Sequence, residues 1–237
     1  MRHFIIAAAL LLLPTLLVAQ RQETPAEQRA EVTMQTTQGK IVLALYNETP
    51  LHRDNFLRHV RRGFYDGLLF HRIIRQFMIQ GGDSISRNVT AQEYEPYDGP
   101  ESEPTVPAEF RFPELYHRRG VLAAAREGDE VNPTRASSAS QFYIVWGKYH
   151  TPKEMNAAQE RIDDRPDSTL HFTFPQEIRD AYELHGGTPH LDGAYTVFGE
   201  VIKGLEVVGS IQAVKTDSLD RPLKDVRIKK AWVSKEL

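Results

Sequence analysis

The run Phe70-His71-Arg72-Ile73-Ile74-Arg75-Gln76-Phe77-Met78-Ile79-Gln80-Gly81-Gly82-Asp83 sets a cation among apolar residues and closes in a Gly-Gly-Asp turn. Phe70 to Ile74 alternates with strand period, and Phe77 to Gln80 does so again. That alternation places Arg72 and Gln80 in line on one sheet face, with Phe77 and Met78 close by across the turn. Gly81 and Gly82 allow positive φ or close backbone approach at the strand exit. A fixed cation beside an apolar, sulfur-bearing patch suits a ligand that is both greasy and rich in carbonyls. Taken alone, Arg72 reads more readily as a solvated residue of an ordinary strand pair. The chain holds no cysteine, which excludes a thiol nucleophile, thiolate metal sites and disulfides. Its nine histidines show no metal-ligand spacing, and His71 reads as a strand residue facing away from Arg72. Ser140 lacks the Gly-x-Ser-x-Gly elbow of a serine hydrolase.

Short strands, turns and helices must hold these residues in place. Val32 to Thr37 and Ile41 to Tyr46 alternate across Gln38-Gly39, a hairpin pattern. Thr49 followed by Pro50 opens a helix that runs through Phe56, Leu57 and Val60 and stops at Gly63. A second helix is expected from Leu205 to Gln212, and Val226 to Val233 reads as a closing strand. Two segments stand out as additions, about 84–105 and about 148–187. The first, rich in Glu, Pro and Tyr, reads as an irregular loop. In the second, Thr151-Pro152-Lys153-Glu154 has capping-box spacing and starts a helix to about Asp163. Pro175 to His185 forms another, ended by Gly186-Gly187. The pattern is mainly β, with strands suited to a closed or nearly closed architecture.

The Phe70–Asp83 string resembles the signature of the cyclophilin family of peptidyl-prolyl cis/trans isomerases, a Phe-His-Arg strand followed by Phe-Met-x-Gln-Gly-Gly-Asp. Two later segments match in order. Gly120-Val121-Leu122-Ala123-Ala124-Ala125 leads to Ser140-Gln141-Phe142-Tyr143-Ile144, and His190-Leu191-Asp192-Gly193 leads to Phe198-Gly199-Glu200-Val201. The likeness spans about residues 32–235. It implies an eight-stranded antiparallel β-barrel capped by two α-helices, with the helical insertion added and the substrate groove on the outer wall. The resemblance also makes Arg72 the catalytic residue and Phe77, Met78, Tyr143 and Leu191 the pocket floor. Gln80 and Gln141 hold the substrate backbone or orient Arg72, His190 and Tyr195 form the rim, and Ala125 and Arg126 are further substrate-binding positions. The chain departs from the best-known pattern in four places. Tyr143 replaces a Phe and brings a hydroxyl that needs a partner. His190 stands where drug-sensitive members carry Trp, Tyr195 where His is frequent, and Arg126 where an Asn contacts the substrate.

An X-Pro bond prefers trans only slightly yet interconverts over tens to hundreds of seconds. Its barrier of ~18–20 kcal/mol comes from lost amide resonance, so neither nucleophile nor cofactor is required. The implied partners are proline-containing polypeptides, and a non-catalytic chaperone or docking module using the same groove is the competing class.

Charge is nearly balanced, with 29 Lys and Arg against 32 Asp and Glu, and no basic block with interleaved aromatics points to nucleic acid. Arg2 and His3, the apolar Phe4–Val18 and the small Ala19 before Gln20 have the form of a signal peptide over residues 1–19. That apolar run is shorter than the roughly 20 residues that span a bilayer. A flexible lead over 20–31 and a single isomerase domain over 32–237 follow. The expectation is an exported, periplasmic or secreted monomer without a lasting membrane span, cofactor or metal.

Overall fold

The computed structural model describes residues 28–96 and 103–237. The expected signal peptide and most of the lead lie outside the described residues. The end of that lead is already part of the domain: Ala30 is fully buried, and its carbonyl accepts a hydrogen bond from Leu45 N at 2.9 Å.

Strands β1 (Glu31–Thr36) and β2 (Lys40–Leu45) form the expected hairpin, closed by Thr36 N donating to Gly39 O. Helix α1 (Pro50–Arg61) carries Pro at its start and basic residues in its last turn, and Gly63 follows at φ 68°. Thr49 does not cap it, however. Its hydroxyl is buried without a partner among the described residues. The 84–105 segment is more ordered than a plain loop at its start, where Ser84–Asn88 forms a 3₁₀ turn capped by the Asp83 carboxylate.

The remaining strands are β3 (Arg72–Ile74), β4 (Met78–Gly81), β5 (Val121–Ala124), β6 (Phe142–Val145), β7 (Val197–Lys203) and β8 (Ile228–Lys235). All eight make one antiparallel sheet in the order β3-β4-β6-β5-β7-β2-β1-β8. The sheet curls until its ends meet. Phe70 N donates to Val226 O and Ile228 N to Leu68 O, both at 2.8 Å, which joins the segments ahead of β3 and β8. Val226 therefore serves this closure rather than the regular ladder, and β8 starts two residues later than the sequence pattern implies.

Alternation along the strands sorts side chains to two apolar faces. Ile79, Leu122, Phe142, Ile144 and Phe198 point inward to a core shared with Phe56, Leu57 and Val60 of α1 and with Val208 and Ile211 of α4 (Leu205–Gln212). Their neighbours Met78, Val121, Tyr143, Val145 and Val197 point outward to a second cluster with Leu191 and Phe77. The outer wall is thus apolar along much of its length.

The insertion builds a core of its own beside this wall. Helix α2 (Pro152–Asp163) has the full capping box: Thr151 Oγ1 accepts from Glu154 N, and the Glu154 carboxylate returns to Thr151 N at 2.8 Å. Helix α3 (Gln176–His185) packs on it through Met155, Ile162, Phe174, Ile178 and Tyr182, a separate small core. The two capping helices and the helical insertion therefore account for all four α-helices among the described residues.

Candidate active site

One rung of the ladder crosses four strands on the outer face. Arg72 pairs with Gln80, Gln80 with Tyr143, and Tyr143 with Ala123. Neighbouring strands lie about 4.8 Å apart, so a cation, an amide and an aromatic ring stand side by side on one wall. Beside them is an open cavity of about 150 Å³ lined by Arg72, Phe77, Met78, Gln80, Ala125, Arg126, Tyr143, Leu191 and Tyr195. Nine sequence-selected residues therefore meet at one place.

Arg72 is half exposed, and its nearest acidic partner is Asp220, Nε to Oδ2 3.5 Å. Asp220 itself is held at positive φ, with its carbonyl accepting from Ile73 N at 2.9 Å. Gln80 makes no hydrogen bond to Arg72 among the described residues. Its Nε2 donates to Gln141 Oε1 at 3.0 Å, and Gln141 is not among the residues that line the cavity. The approach that permits this pairing needs glycine. A Cβ on Gly82, at φ 99°, would lie 2.2 Å from Ser140 O.

The Tyr143 hydroxyl finds its partner inward of the cavity, on a residue that the sequence pattern does not single out. His117 Nε2 lies 3.0 Å from it, and His117 Nδ1 lies 2.8 Å from Asp192 Oδ1. Tyr182 of α3 donates to Asp192 Oδ2 at 2.6 Å. With Nδ1–H given to the carboxylate, Nε2 is left to accept a hydrogen bond from the Tyr143 hydroxyl. Burial pushes both phenols well above their ordinary pKa, so both keep their protons and can donate. The cavity meets the ring of Tyr143 and not its hydroxyl.

At the rim His190 does not line this cavity. Its ring stacks on Phe77 with centroids 5.5 Å apart, forming a ridge on the far side. Partial desolvation of the stacked ring, then the nearby His117 and Arg161, lowers its pKa to about 4 although the residue is exposed, so the imidazole is neutral at ordinary pH. Arg126 is consumed by the protein: Nε donates to Ala194 O at 2.7 Å, Asp129 pairs with it, and its guanidinium lies 4.4 Å from the Tyr195 ring centroid. It walls the cavity but offers a substrate little free charge.

The family model described as "Cyclophilin type peptidyl-prolyl cis-trans isomerase/CLD" matches residues 31–233. The chain is a cyclophilin-type peptidyl-prolyl cis-trans isomerase. A Staphylococcus aureus (strain USA300) protein named as a peptidyl-prolyl cis-trans isomerase is 34% identical over 199 residues, 84% of this chain and 88% of the relative. A Streptococcus pyogenes protein named as a bifunctional phosphatase and isomerase is 34% identical over 84% of this chain, which spans 37% of that longer protein. A cyclophilin structure from Cryptosporidium parvum shares the fold with TM-score 0.62 at 23% identity, covering 89% of this chain and all of the other. A second structure of that protein, determined in the presence of the dipeptide Ala-Pro, matches with TM-score 0.60, 23% identity and cover of 87% and 99%.

This cyclophilin also holds a cluster that could pass for another chemistry. His52 Nδ1 lies 2.7 Å from Glu109 Oε2, and His52 Nε2 lies 2.9 Å from Ser137 Oγ, the order of groups found in nucleophilic hydrolases. All three side chains are buried, and Leu51 N and His52 N also donate to the Glu109 carboxylate. Ser137 is sealed from any acyl group. The three residues tie the start of α1, which Thr49 leaves uncapped, to the loops beside it.

Proposed function

We propose that this cyclophilin accelerates X-Pro rotation in exported polypeptides and assists their folding, with Arg72 as the catalytic residue. The observation that carries the reading is the Arg72–Gln80–Tyr143 rung beside a cavity of about 150 Å³ lined by both polar and apolar side chains. A cavity of that order accepts a small ring, here the pyrrolidine of proline, on the floor of Phe77, Met78, Tyr143 and Leu191. Rotation localises the nitrogen lone pair and makes the amide less dipolar, so an apolar floor disfavours the planar ground state more than the twisted one. The Nε of Arg72 faces Asp220, and its terminal nitrogens have no partner among the described residues, so the fork is free to donate to the prolyl carbonyl. One such charge-assisted bond contributes ~1.5–3 kcal/mol. Positioning of the chain by Gln80, backed by Gln141, adds to it. Export rests on the Arg2–Ala19 segment with its basic start and apolar run.

The test has two arms. Mature protein is assayed for isomerisation of an X-Pro tetrapeptide, with Arg72→Ala as the comparison, and whole cells are fractionated and the chain's N-terminus is sequenced. Turnover lost in the variant and a cleaved form outside the cytoplasm support the reading. Wild-type rates in a folded Arg72→Ala protein overturn the assigned role, and an uncleaved cytoplasmic chain overturns export.

A further inference from the structure

On the far side of the Phe77–His190 ridge lies a second cleft, larger than the prolyl cavity at about 380 Å³. Phe77 lines both, so the two spaces lie on either side of a single aromatic stack. One wall of the cleft belongs to the barrel and to Pro189–His190, the other to α2 of the insertion. Its inner surface is small and apolar where Ala157 and Ala158 face Pro189, which leaves room for a passing main chain. Its charge is not balanced. Lys148 is paired with Glu154, whose carboxylate also serves the α2 capping box. Arg161, about two turns along α2 from Glu154, lines the cleft with no hydrogen bond or ion pair among the described residues. It is exposed.

We propose that this cleft is an extended subsite for the flank of the substrate chain, selecting an acidic side chain through Arg161. The proposal rests on the isomerase reading above and adds a sequence preference to it. An extended chain advances about 3.3 Å per residue, so a residue roughly two to four positions from the proline reaches across a ridge of this width. The guanidinium fork matches a carboxylate in a way that an amide does not. A tetrapeptide is too short to gain from it. Only a longer polypeptide occupies both spaces, which gives the insertion a defined role in choosing among clients.

The experiment measures kcat/KM by exchange NMR for an X-Pro tetrapeptide and for octapeptides carrying Glu, Gln or Lys at positions two to four residues on either side of the proline. Glu peptides are expected to exceed Lys peptides by about fivefold or more at low salt, the gap narrowing as screening grows. Arg161→Glu should reverse the order while leaving tetrapeptide turnover unchanged. Lys153→Glu makes the same charge change on α2 outside the cleft and should leave the order as it was. Equal rates for Glu, Gln and Lys peptides, or an Arg161→Glu protein with wild-type preference, overturn the subsite while the isomerase stands. A wild-type protein that fails on the tetrapeptide overturns the isomerase reading and the subsite with it.

Discussion

Tyr143 Oη and His117 Nε2 lie 3.0 Å apart although 26 residues separate them in the chain. The ring that floors the prolyl cavity is therefore held from behind by a histidine, itself fixed by Asp192. Tyr143→Phe removes the hydroxyl and leaves a buried imidazole nitrogen unpaired, at an expected cost of about 1–3 kcal/mol in urea unfolding. Since the substrate meets only the ring, turnover should stay within about threefold of wild type. A tenfold fall in kcat/KM with unchanged stability would reverse this assignment.

Arg72 is half exposed and contributes little to packing. Arg72→Ala should keep its circular dichroism spectrum and lose about tenfold or more in kcat/KM, the equivalent of ~1.4 kcal/mol. Arg72→Lys should regain only part, because a point charge lacks the planar fork. Asp220→Ala, which frees Nε, should have a smaller effect than either.

His190 stacks on Phe77 and gives the rim a neutral, polar edge. Cyclosporin-type cyclic peptides should bind weakly, since the rim lacks an indole and its N–H donor. Calorimetry on His190→Trp should show tighter binding with turnover little changed. Tight binding by the unmodified protein would count against this.

Stability should fall in acid through His71. Burial, its largest cause, lowers the His71 pKa from 6.5 to about 4; Asp83 opposes this and Arg72 adds to it. Between those values the unfolded chain holds a proton that the folded chain refuses, so stability rises with pH across the window and is complete above it. A tenfold difference in proton affinity between the folded and unfolded chain corresponds to about 1.4 kcal/mol. Urea midpoints should drop between pH 7 and pH 5, and the drop should shrink in His71→Gln. An equal drop in that variant would place the effect elsewhere.

Tyr182 ties the insertion to the cavity floor through Asp192. Tyr182→Phe should lower the melting temperature while tetrapeptide kcat/KM stays within about threefold of wild type, because the Asp192–His117–Tyr143 links remain. Leu184→Ala, on the same helix with an exposed side chain, should change neither.

What can be read from the sequence is what is local. The Thr151–Glu154 spacing locates the start of α2, and the apolar pattern gives α4 its Leu205–Gln212 bounds. Alternation around Arg72 and Gln80 places them on one face, and their register pair bears this out. Bonds between distant segments leave no such trace. Asp220 meets Arg72 from the far end of the chain, and His117 and Asp192 are 75 residues apart. The family pattern gives Gln80 to substrate or Arg72, whereas its side chain bonds Gln141, since the Gly82 approach that joins them is a property of the folded backbone. The missing Thr49 cap has the same origin. Its surroundings, and not its residue type, decide whether the hydroxyl reaches the helix.

The Asp192 carboxylate has consequences for how such a domain can be recombined. One oxygen takes the His117 ring and backbone N–H, and the other takes Tyr182, while Arg165 holds the Asp192 carbonyl at 2.7 Å. The α2–α3 segment is therefore not a detachable cassette. A chimera that moves it onto another barrel must transplant Asp192, His117 and Tyr143 as a set, or it strands a buried acid at the cost of the recipient's fold.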